Sequence, residues 1–203
     1  MHRVIKYIPY TLLLVSNISC RHSMKAVDYA AYVNNEKNGL KKTVEVDGWS
    51  FCTQYRPYEY VMLMENKGNS QGYDFSKRLS QLRGTAWFTL SIKRIDNSTS
   101  PMRYGISSIE DYNRRLNYYL NEAVNDIKLV YDKDTLHPES YLFENNYNLS
   151  PEETMVVGFY LPRGDDHPGK EMRFSLVDRI FKSGIINAEY SSRVLEKIPA
   201  LVY

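Results

Sequence analysis

The chain is poor in the residues and patterns on which most catalytic machinery is built. Only two of its 203 residues are cysteine, Cys20 and Cys52, so there is no C-x-x-C pair and at most one disulfide. Histidine occurs four times, as His2, His22, His137 and His167, with no second ligand cluster at metal-site spacing. There is no complete phosphate-binding loop and no G-x-G-x-x-G, which leaves nucleotide binding without a sequence basis. No apolar run approaches the ~20 residues that a membrane-spanning helix needs. An excess of basic charge is also missing. The formal charge is +2, but setting aside Arg3 and Lys6 at the start leaves 24 basic residues against 24 acidic ones. Pairs such as Lys41-Lys42 and Arg114-Arg115 read as solvated faces rather than a phosphate-tracking stripe, so no nucleic acid partner is expected.

What is present describes a folded body behind an export-like start. With 43% hydrophobic and 25% charged residues and a mean hydropathy of -0.49, the composition is that of a water-soluble globule of one domain. His2, Arg3 and Lys6 form a cationic opening, residues 8–15 are apolar, and Ser16, Asn17, Ile18 and Ser19 lead to Cys20. That order is the layout of a secretory signal over residues 1–19, removed on export. Residues 20–40 then read as a tether or a short helix, and 41–203 as one domain.

The end of the apolar run resembles a bacterial lipobox, in which a small residue precedes a cysteine that becomes acylated. Ser19 and Ile18 fit that pattern and Asn17 departs from it. With abundant Tyr and Asn behind it, the chain resembles Bacteroidetes lipoproteins of unassigned activity. The resemblance implies lipid attachment at Cys20, insertion of the acyl chains into the outer membrane bilayer, and, since Arg21 to Lys25 carry no acidic cluster, a periplasm-facing body. If Cys20 is not acylated, an oxidising compartment permits a bridge to Cys52.

Along the body, Asp47-Gly48 between two alternating runs signals a hairpin. Residues 75–82 read as a short helix, and 58–65 as either helix or strand. Residues 86–95 alternate as a central strand, and further strands are expected at 127–131, 141–147, 154–161, 172–181 and 185–190. The strongest helical pattern is 109–124, where Ile109, Tyr112, Leu116, Tyr119, Leu120 and Ala123 share a face and Ser107 stands three before Glu110. The expected fold is α+β: a single domain with a mainly antiparallel sheet and one long amphipathic helix, about 108–125, packed across the 86–95 strand.

Candidate chemistry is sparse, and no cofactor is expected. Asp165, Asp166, His167 and Glu171 could supply oxygen and nitrogen ligands to a divalent cation from a Gly- and Pro-marked loop. His137 lies beside Glu139 and Ser140. A hydrolase needs a nucleophile, a base and an oxyanion hole that converge, and no G-x-S-x-G elbow is read. Tyrosine is unusually frequent, 18 in all, and it is densest around Arg56, Tyr58 and Tyr60, a candidate patch for a protein or glycan partner. Asp134, Thr135 and Leu136 resemble the O-glycan acceptor motif of exported Bacteroidetes proteins, with Thr135 as the modified residue. The expected function is a membrane-anchored, non-enzymatic envelope lipoprotein with a binding or assembly role. The alternative is a periplasmic hydrolase or metal-dependent enzyme using His137 or the 165–171 loop.

Overall fold

The computed structural model describes residues 23–66, 72–147, 149–162 and 169–202. The Asp47-Gly48 signal is realised as a two-residue turn between β2 (Lys41–Val46) and β3 (Trp49–Arg56). Both turn residues have positive φ, 50° and 80°, the backbone that matches strand twist and that Gly48 adopts without a Cβ penalty. Alternation then fixes which face of each strand is apolar. Phe51, Thr53 and Tyr55 of β3 turn inward, as do Phe88, Leu90 and Ile92 of β4 (Thr85–Arg94) and Met155, Val157 and Phe159 of β8 (Glu152–Tyr160). With β7 (Ser140–Glu144) these strands form a five-stranded antiparallel sheet in the order β2-β3-β4-β8-β7.

A second antiparallel sheet has the order β10-β9-β5-β6, from β5 (Ile127–Tyr131), β6 (Asp134–Leu136), β9 (Met172–Asp178) and β10 (Gly184–Tyr190). Its inward residues include Leu129, Phe174, Ile186 and Tyr190. The two apolar faces meet as a sandwich. Phe88 lies 5.2 Å from Phe174 and 5.6 Å from Tyr190, centroid to centroid, and the Tyr190 hydroxyl donates to the Thr53 carbonyl at 2.9 Å. Burial of that hydroxyl end is tolerable because its one proton has an acceptor.

The segment before β2 is packed into the body. β1 (Ser23–Lys25) pairs in parallel with β11 (Ala200–Val202), and α1 (Ala26–Asn34) places Tyr29 and Val33 fully inside the core. The Tyr32 hydroxyl donates to the Lys197 carbonyl, which ties α1 to the segment between α5 (Ser192–Leu195) and β11. Residues 58–65, ambiguous in sequence, form the helix α2 (Tyr58–Glu65), which packs against α3 (Phe75–Leu82).

Two expectations of architecture are corrected. Among the described residues there are eleven strands in three sheets, not one sheet, because alternation reports which side of a strand is apolar and says nothing of which sheet it joins. The expected long helix is three unlike pieces: α4 (Ile109–Asn117), one π turn at Tyr118–Glu122 and a 3₁₀ turn at Ala123–Asp126. At the wide turn Tyr118, Tyr119 and then Ala123 go inside while Leu120 stays exposed, and Ile109 at the start of α4 is exposed as well. The helix is capped one residue later than the sequence indicates, with the Asp111 N–H donating to the Ser108 hydroxyl at 3.1 Å. It also meets the β7 edge rather than the centre of β4. Tyr119 stacks on Phe143 at 5.2 Å, and the Tyr141 hydroxyl donates to the Tyr119 carbonyl. Below it, Asp126 is buried yet accepts from the Tyr118 hydroxyl and from Nε of Arg179, so its charge is compensated.

Candidate functional site

The outward side chains of the five-stranded sheet form a polar trough. Register places them in rows across the strands: Glu45, Ser50, Lys93 and Glu152; then Thr43, Cys52, Ser91 and Thr154; then Lys41, Gln54 and Thr89. These are the alternate positions of strands whose other faces build the core, so the same periodicity that makes the sandwich makes the row of hydroxyls. The trough encloses about 560 Å³. Its floor is uncharged: Thr, Ser, Gln and Cys, with the Ser91 and Thr154 hydroxyls 3.2 Å apart.

Helical segments wall it. On one side Glu36 pairs with Lys41 at 3.0 Å, and the Gln54 amide donates to the Val33 carbonyl and the Asn34 side chain, both at 3.1 Å, which fixes its orientation. Beyond the trough, on the same face of the sheet, Trp87 lies over Gly158, where a Cβ would stand 3.0 Å from the ring carbons, so that position admits glycine alone without a shift. The Trp87 N–H donates to the Thr85 hydroxyl at 2.9 Å, and α2 and α3 cover the ring's flank through Met62 and Leu82.

The charges of the trough come close to cancelling, at a formal net of one negative charge. Lys41 and Lys93 face Glu36, Glu45 and Glu152 around its rim, which favours neither a polyanion nor a polycation. Burial pushes the Cys52 thiol up, outweighing the hydrogen bond with Thr43 and the Lys41 charge that pull it down, so the sulfur stays protonated and is a poor nucleophile at neutral pH. What the arrangement can do is donate and accept hydrogen bonds toward an uncharged polar surface.

The residues singled out from sequence are scattered. Tyr58 and Tyr60 are 4% and 7% exposed, so these rings serve the interior and form no exposed patch, a correction that follows from their sitting on the inward side of α2. The Tyr60 hydroxyl donates to Asn34, and the Arg56 guanidinium lies 5.4 Å above the Tyr60 ring. Thr135 is exposed, on the edge strand β6 opposite Val130. His137 is exposed just beyond β6, and Glu139 and Ser140 line a separate hollow of about 290 Å³ beside Trp87. Glu171 is exposed, and its carbonyl accepts from the Asp132 N–H. Cys20, Asp165, Asp166 and His167 lie outside the described residues. Among the described residues, no three His, Cys, Asp or Glu side chains are grouped to hold a metal ion. The letters G-x-S-x-G do occur at 68–72, but between the helices α2 and α3, not between a strand and a helix as a hydrolase elbow requires.

Sequence reasoning missed the trough because it contains no motif. Its only trace is the polar half of each alternating run, such as Lys41, Thr43 and Glu45 or Thr89, Ser91 and Lys93. No protein-family model, no curated protein and no solved structure matches this chain.

Proposed function

We propose that the protein is a non-enzymatic binding component of a bacterial cell envelope, held to the periplasmic face of the outer membrane by acylation of Cys20, and that its trough takes an uncharged, hydroxyl-rich glycan strand. The anchor half rests on the residues themselves: a cationic opening, a short apolar run and a cysteine at its end. Several acyl chains together give near-permanent attachment where one does not, at about 0.8 kcal/mol per buried methylene. The observation that carries the binding half is the trough of mixed and nearly cancelling charge with its hydroxyl and amide floor, whose donors and acceptors suit those of a polyol. A protonated Cys52 supports a binding rather than a covalent role for this surface.

Intact mass of the mature protein from a bacterial host tests the anchor. The wild-type chain is expected to carry a lipid-sized increment that Cys20→Ala loses, and an identical unmodified mass for both would refute it. Calorimetric titration with neutral glucan and N-acetylglucosamine oligomers tests the trough. Binding is expected to be insensitive to salt and to weaken at least about tenfold, or 1.4 kcal/mol, in Ser91→Arg, which puts bulk and charge on the floor. Binding confined to polyanions and lost at high salt would show the partner class to be wrong.

A further inference from the structure

From the path of the chain between Cys20 and the core, we infer that the body stands directly on the bilayer, with the β1–β11 end seated against lipid headgroups and the Asp47-Gly48 end pointing away. This rests on the acylation reading above. Only Arg21 and His22 separate Cys20 from β1, and three extended residue steps reach about 10 Å. Ser23, Met24 and Lys25 are paired to Ala200, Leu201 and Val202, and α1 follows without a break, held by the wholly buried Tyr29 and Val33. There is no slack in which the domain could drift from its anchor.

The surface at that end suits the contact. Val27, in the first turn of α1 directly after β1, is 81% exposed, and Val202, on β11, is 51% exposed. Lys25 and Lys197 are interspersed there with Asp28 and Glu196, so the contact is imposed by reach and not by a strong charge attraction. The opposite end is defined by Trp49, which stacks on Phe181 at the start of β3, whereas Arg56 at its other end lies over Tyr60 beside α1. Eight strand residues span roughly 26 Å, so β3 runs away from the membrane and the trough opens sideways along it.

The test uses the acylated protein purified from membranes and placed in vesicles of phosphatidylethanolamine and phosphatidylglycerol. In a Cys52→Ser background, a fluorophore is attached at Val27→Cys or at Ile185→Cys, the latter on an exposed residue at the far end. Iodide is expected to quench the label at 27 several-fold less than the label at 185. A flexible Gly-Ser insert of about ten residues between His22 and Ser23, adding roughly 17 Å of reach, is expected to abolish the difference. Equal quenching at the two sites with the lipid present in the mass spectrum would overturn the seating while leaving the anchor intact. Protection at 27 that survives the insert would overturn the argument from reach, and a mass without lipid would overturn both readings.

Discussion

Phe88→Ala is expected to lower the stability of the domain by about 3–5 kcal/mol, the usual cost of emptying a fully buried aromatic site. Phe88 is 0% exposed on the central strand β4, and its ring meets aromatic partners on both sheets: Tyr55 at 5.4 Å and Phe159 at 5.8 Å in its own, Phe174 and Tyr190 in the other. Truncation removes the dispersion contacts of all four at once, and strands fixed in two hydrogen-bonded ladders cannot close the void. Since a domain is stable by only about 5–15 kcal/mol, the variant would sit near the edge of folding at ambient temperature. Urea denaturation followed by Trp49 and Trp87 fluorescence measures it, and Phe88→Leu, which keeps most of the volume, should recover the larger part. A loss below about 1 kcal/mol, typical of an ordinary single substitution, would mean that the two sheets do not share this core.

The second large effect comes from Glu153, which is fully buried on the inner face of β8 opposite Ile92, with neither carboxylate oxygen in a well-formed hydrogen bond. Burial pushes its carboxyl up to about 7, against a weaker pull downward from Asn146. The ordinary value in the unfolded chain is 4.5. The folded state therefore binds the proton more tightly than the unfolded state. Its stabilising contribution is complete below about pH 4.5 and is lost as pH rises through 7. At about 1.4 kcal/mol per pH unit, the loss amounts to roughly 3 kcal/mol by pH 8. Glu153→Gln keeps the shape and cannot ionise, so it is expected to match the wild type near pH 5 and to exceed it by about that amount at pH 8. Thermal unfolding of both proteins across this range checks the sign. A wild-type melting temperature that is flat or rises from pH 5 to pH 8 would contradict it.

Where the sequence was legible, the reason was local. The β2–β3 hairpin needed only Asp47-Gly48 and alternation on both sides, and β4, β5, β8 and β10 were visible because each alternates for five residues or more. Helix α4 was visible for the same kind of reason, but its continuation was not. A period of 3.6 cannot announce a π turn, which arises where Tyr118 and Tyr119 find room against Asp126 and Phe143. Strands of three residues, β1, β6 and β11, are too short to show a period, and β1 and β11 find each other across most of the chain. The tyrosine cluster misled for a physical reason: a phenol suits an interface and a core equally well, and only the orientation of α2 decides that Tyr58 and Tyr60 belong inside. The trough depends on five strands coming into register, which no single stretch of residues encodes.

The parallel clasp of β1 on β11 has a mechanical consequence. If Cys20 is acylated as proposed, tension drawn on it would enter the body at three paired residues and next at two buried side chains, Tyr29 and Val33, before any strand of the sandwich felt it. A short peripheral element opens at a far smaller free energy than a core strand. The attachment would therefore peel first, lengthening the leash while both sheets stayed folded, and would re-seat when the pull relaxed.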